Sequence, residues 1–189
     1  MNDREILDVA GADFASTLGR VTPDQWSAPT GNEGQSVRQL VDHVVGGNRM
    51  ATVILGGGSR RDGIDAFALS AADVDVVAAF DDSHRELVAA FAEPGALERT
   101  VAHPAMDMPG TQLLGFRITE YGLHGWDLAR AIGTDDTIDP VVLDALWNLL
   151  HPLAPILAAT GMFGTGASGT IADDATLQDR VLDLSGRRP

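Results

Sequence analysis

Arg117, Glu120, His124 and Asp127 fall at spacings of three, four and three within RITEYGLHGWDLAR, residues 117–130. At 3.6 residues per turn these four side chains line one stripe of a helix. Leu113, Phe116, Leu123 and Leu128 border the stripe. Charged groups therefore share a side with residues that seek the core, and there they need a cavity or a partner. Glu120 and His124, four apart, reach a common point beside the helix. His43, in LVDHVVGG, shares a side with Leu40, Gly47 and Met50 and is the best placed third donor. Two imidazoles and one carboxylate suit a tetrahedral zinc ion with its fourth position open to water or substrate. Two plainer readings stand beside this one. A Glu/His pair four apart is ordinarily a weak helix contact, and a Glu–His or Glu–Arg network would satisfy a buried carboxylate equally well.

The neighbouring residues have their own readings. Asp127, one turn past His124, can accept the second ring N–H of a ligand histidine. Arg117 can grip a substrate carboxylate in bidentate fashion, although pairing with Glu120 or Asp127 is the more ordinary outcome. His103, in AHPAMDMPG, lies on a loop able to fold over a site and contact a ligand. His84 in DDSHRE reads as part of a solvated helix face. His151, beside Pro152, and Trp126 read as structural.

Helices must position these groups. Residues 3–19 carry Ile6, Leu7, Ala10, Phe14 and Leu18 near helical spacing. After a polar Pro/Gly-rich stretch from about 22 to 35, Ser36 suits the N-cap of a second helix, VRQLVDHVVGGNRMATVIL. GGGSRRDG (56–63) is expected to break that helix, and Ser70 to cap a third over AADVDVVAAFDDSHRELVAAFA. Residues 94–109 read as irregular, with a short extended piece at RTVAHP. Pro109 suits the first turn of a fourth helix over 110–132. A fifth runs from Pro140 toward Leu150, disturbed by Pro152 and Pro155, and a Gly/Ser loop leads to a short final helix. The pattern holds no convincing strand ladder and no repeat. The expected fold is all-α: a four-helix bundle with additional short helices, forming one domain over 1–189. Gly46 and Gly47 follow His43, and Gly122 and Gly125 lie on the back of the fourth helix. Each costs a helix interior about 1 kcal/mol relative to alanine, for which close packing is the ordinary reason.

The 189-residue chain has a formal net charge of −14, thirteen arginines and no lysine or cysteine. Such an acidic surface disfavours nucleic acid and anionic membranes as partners. Without lysine there is no Schiff base and no phosphate-loop lysine. Without cysteine there is no protein thiolate, so thiol chemistry needs a thiol supplied as co-substrate. No apolar run spans a membrane, and MNDREILDVAGADF carries acids too early for a signal peptide. A cytoplasmic location is expected. Apolar helix faces allow a homodimer without specifying one.

Taken together, SVRQLVDHVVGGNRM, ITEYGLHGWDLARA and LQDRVLDLSGRRP resemble the DinB-like metal-binding superfamily. Within it the chain is most similar to short actinobacterial-type members of the mycothiol-dependent maleylpyruvate isomerase N-terminal branch. The resemblance implies a four-helix bundle holding a divalent metal, usually zinc, with nickel as the other candidate, on His43, Glu120 and His124. It also implies mycothiol as a thiol co-substrate and an electrophilic small molecule as substrate, in a transferase- or isomerase-type reaction. One departure is local: where the pattern has Pro-Cys-x-Gly-Trp before the second helix, this chain has Gly31, Asn32 and Gln35 at the Pro, Cys and Trp positions. The isomerase's second domain is not expected here, so that isomerisation is not assigned. A non-catalytic metal- or ligand-binding bundle is the alternative.

Overall fold

Ser36 closes the extended entry to the second helix. Its hydroxyl accepts from the Gln39 backbone while the Gln39 side chain accepts from the Ser36 N–H, a reciprocal capping box. Asn2 and Glu5 start the first helix in the same way. The computed structural model describes residues 1–32, 34–69, 75–155, 166–172 and 174–188. Its helices are α1 (Asp3–Leu18), α2 (Val37–Leu55), α3 (Arg60–Ala68), α4 (Val76–Ala92), α5 (Gly110–Ile132), α6 (Pro140–Leu150) and α7 (Leu177–Leu184). Single 3-10 turns occupy Gln25–Ser27 and His151–Leu153. The all-α bundle expected from the periodicity is what the chain forms.

The four long helices carry the core. Helix α1 packs on α4 and α5, and α2 packs on α3, α4 and α5. Leu7 and Phe14 of α1, Leu40, Val44 and Ile54 of α2, Phe80 and Leu87 of α4, and Leu113 and Leu123 of α5 are all essentially buried. Each such side chain contributes roughly 1.5–3 kcal/mol through apolar area removed from water. Helix α5 ends on Gly133, whose φ of +71° is the left-handed conformation that glycine adopts without strain. Helix α6 lies across α5, where Gly122 lets Leu146 and Val142 approach; a Cβ there would stand 2.8 Å from Leu146 Cδ1. No helix among the described residues is long and apolar enough to cross a membrane.

Three expectations need correction. The GGGSRRDG stretch ends α2 but also begins α3, because Ser59 and Asp62 form another capping box. Gly63 then sits so close to α2 that a Cβ would meet Ile54 at 2.8 Å. The third long helix begins at Val76 with Asp75 as its cap, later than expected; Ser70 and residues 71–74 lie outside the described residues. Finally, a small ladder exists. Thr100–Ala102 (β1) pairs antiparallel with Asp107–Pro109 (β2), with Val101 opposite Met108. The pair delivers the chain directly into α5, with Pro109 as the cap residue.

Candidate metal centre

Helices α2 and α5 bring His43, Glu120 and His124 together. His43 Nε2 lies 2.9 Å from Glu120 Oε2, and His124 Nε2 lies 3.3 Å from the same oxygen. One donor atom from each residue falls within 4.8 Å of the other two. Tetrahedral ligands bound at about 2.0–2.1 Å stand about 3.3 Å apart, so the donor separations are close to those that a divalent cation requires. The donor set, two imidazole nitrogens and one carboxylate oxygen, is borderline in softness and suits zinc or nickel. The cluster is open on one side: the His43 side chain is 40% exposed and Glu120 28%, against 14% for His124.

The supporting contacts decide which nitrogen faces inward. Asp127 Oδ2 accepts from His124 Nδ1 at 3.0 Å, which leaves Nε2 for Glu120 or a cation. Burial alone would lower the His124 pKa, but the Glu120 and Asp127 carboxylates overcome it and raise it to about 9. Burial likewise works against ionised Glu120, yet the His124 charge and the hydrogen bonds from both histidines hold its pKa well below the carboxylate range. Without a cation the site is thus a charged pair, carboxylate to imidazolium. His43 is also flanked by Phe67 of α3, edge-on at 5.5 Å between ring centroids.

Arg117 behaves differently from expectation. It pairs with neither Glu120 nor Asp127. Its guanidinium turns toward α2 and donates to the Val44 carbonyl at 3.2 Å and Asn48 Oδ1 at 2.9 Å. Only 3% exposed, it has no room to grip a substrate. Gly47 is what admits it, since a Cβ there would sit on the guanidinium; this glycine serves a charge, not a bare helix contact. His103 lies outside the three-residue cluster, with its ring edge-on to Phe116 at 5.9 Å. Burial, then the charges of Arg117 and Arg60, lower its pKa, while Glu120 acts in the opposite sense.

Two further residues depart from the sequence reading, His84 from its assignment to a solvated face and Arg187 by having had none. His84 is half-buried, not solvated: its Nδ1 meets the Tyr121 hydroxyl at 2.9 Å, and its ring fills the space left by Gly11. Its position on the stripe of Phe80, Leu87 and Phe91 was the available signal. Arg187 reaches back from the far end of the chain to Asp127, and no spacing announces that contact. At the altered loop, Asn32 and Gln35 hydrogen-bond each other at 2.9 Å, and Asn32 also donates to Asp127 Oδ2 at 3.3 Å. His151 stacks on Trp147, and Trp126 is buried in the core.

Comparison with known proteins now adds a lineage. Residues 7–129 match the family model of the mycothiol maleylpyruvate isomerase N-terminal domain. The chain belongs to this family. Two Mycobacterium tuberculosis proteins are similar to this chain, Uncharacterized protein MT0763 from strain CDC 1551 / Oshkosh and Uncharacterized protein Rv0738 from strain H37Rv. Each is 34% identical over 131 residues, covering 67% of this chain and 65% of its own. The chain thus spans about 65% of the length of these relatives. The crystal structure of the mycothiol-dependent maleylpyruvate isomerase superposes with a TM-score of 0.60 at 18% identity, over 76% of this chain and 66% of that one. A histidine-to-alanine mutant of that isomerase gives a TM-score of 0.62 at 18% identity, over 87% and 72%. These two likenesses establish the shared fold of the isomerase N-terminal family.

Proposed function

We propose that His43, Glu120 and His124 hold a divalent metal, zinc before nickel, and that the protein is a thiol-dependent enzyme acting on an electrophilic small molecule. The observation that supports this best is the convergence of three donor atoms from two helices within 4.8 Å, on a side that remains open. Membership in the isomerase N-terminal family supports mycothiol, or a similar low-molecular-weight thiol, as co-substrate. When bound, the metal would supply the positive charge that favours thiolate over thiol. The chain's own residues do the rest. Glu120 contributes the anionic donor, Asp127 keeps Nδ1 of His124 occupied, and Phe67 walls the approach beside His43. Arg117 lends a fixed positive charge from the core, and His103, packed edge-on against Phe116, is the candidate substrate contact. Cysteine-free, the chain offers no competing thiol of its own.

One observation favours the second reading, a non-catalytic bundle. Without a metal, His43, Glu120, His124 and Asp127 already satisfy one another in a continuous polar network. Elemental analysis of untagged protein separates the two readings, made beside His124→Ala. Near-stoichiometric zinc, lost in the variant, together with a cobalt-substituted spectrum that shifts on adding mycothiol, is the expected result. Absence of metal after incubation with excess zinc, or a spectrum indifferent to the thiol, would refute the enzyme reading.

A further inference from the structure

Asp127 is only 2% exposed and its carboxylate is gripped from three directions. His124 Nδ1 donates to Oδ2 at 3.0 Å and Asn32 Nδ2 to the same oxygen at 3.3 Å. Arg187 then closes on both oxygens, Nε to Oδ1 at 2.8 Å and the NH2 amine to Oδ2 at 2.6 Å. A two-point fork of this kind fixes the plane of a carboxylate as well as its position. The plane matters here. It sets the direction from which Oδ2 takes the His124 N–H, hence the tilt of the ring and the line along which Nε2 projects.

The chain is shaped to deliver this arginine. Helix α7 stops on Gly186, whose φ of +78° is left-handed. The Gly186 N–H donates to the Asp183 carbonyl at 3.0 Å and the Arg187 N–H to the Leu182 carbonyl at 2.9 Å. These two bonds are the Schellman arrangement, which reverses the backbone at a helix end. Arg188 pairs with Asp183 at 3.2 Å, while the Asp183 carboxylate also accepts from the Ser168 N–H. The arginine arrives from a buttressed turn and its side chain is 11% exposed.

We infer that Arg187 is a positioning residue of the metal centre: by fixing the plane of Asp127, with Asn32 as the lesser brace, it aims His124 at the metal. The inference rests on the metal reading given above. It ties the affinity of the site to the seating of a segment 60 residues downstream of Asp127 in sequence.

The test is zinc affinity of the untagged full chain, measured by competition with a chromophoric chelator, for wild type, Arg187→Met and Arg187→Lys. Removing a partner of this kind weakens metal binding roughly 10- to 100-fold, and that loss is expected for Arg187→Met. Lysine keeps the charge without the fork and should fall between. Guanidinium ion at millimolar concentration should restore much of the Arg187→Met loss, whereas sodium chloride at equal ionic strength should not. A merely structural arginine would not show that rescue. Wild-type affinity in both variants would overturn the inference, as would a loss that guanidinium leaves untouched and that tracks loss of helical signal in metal-free protein. If wild type itself takes up no zinc, the metal reading has failed, and this inference falls with it.

Discussion

Gly47→Ala pits helix propensity against packing. Propensity alone makes alanine about 1 kcal/mol better inside a helix. The structure reverses the sign. A Cβ at Gly47 would sit on the Arg117 guanidinium, 2.9 Å from Cζ. That guanidinium is buried, donates to the Val44 carbonyl and Asn48, and lies 5.5 Å from the Tyr121 ring centroid. It cannot retreat without losing bonds worth roughly 1.5–3 kcal/mol each. Nor can it reach water cheaply, since its Nε is already buried without a partner. Subtracting the propensity gain leaves a net destabilisation of about 2–5 kcal/mol. For a chain of this size that lowers Tm by roughly 4–20 °C. Urea unfolding of chelator-treated protein measures it without metal linkage. Gly125→Ala is the control: its Cβ would meet only Phe14, at 3.8 Å, so it should be neutral or stabilising. In an Arg117→Met background the cost of Gly47→Ala should shrink, as expected of residues in contact. A Gly47→Ala variant as stable as wild type would refute this account of the buried arginine.

Two other outcomes follow from the same geometry. Gly11→Ala should destabilise by roughly 1–3 kcal/mol, through a Cβ driven into the His84 ring, and unfolding midpoints will show whether it does. In metal-free protein the raised His124 pKa contributes stability that is complete below the ordinary histidine value and is lost as pH rises through about 9. The lowered pKa values of Glu120 and Asp127 contribute stability present above the carboxylate range and lost as pH falls through them. Stability should therefore peak between those limits. Zinc must displace the His124 Nε2 proton, so calorimetry in two buffers should find proton release and an affinity that climbs with pH toward 9. A flat affinity would contradict the assignment.

Much of the framework was legible because its signals are local. Ser36 announces α2, and the spacing of Glu120 and His124 places both on one side of α5. What escaped notice depends on distance or on short pieces. Helix α3 spans nine residues with a glycine inside it, too short for a period to declare itself. Strands of three residues carry even less pattern. His84 was misread because Asp81, Asp82, Arg85 and Glu86 around it are all exposed, and composition averages over faces that a helix keeps apart. Arg117 was misassigned because spacing along one helix says nothing about a glycine opened on its neighbour. Arg187 meets Asp127 across 60 residues, and a charge-to-charge contact of that span has no signature in one chain.

The unequal exposure of the two histidines has a kinetic meaning. His124 is 14% exposed and braced from behind by Asp127; His43 is 40% exposed and, beyond its bond to Glu120, is touched by the rings of Phe67 and His124. For a cation held between them, the first bond to break is the one that solvent reaches. Loading and unloading would both pass through His43, on the side walled by Phe67, while the Glu120–His124 edge acts as the fixed jaw. The lifetime of the bound ion would then be governed by how freely one surface imidazole swings, and its equilibrium affinity by the buried side.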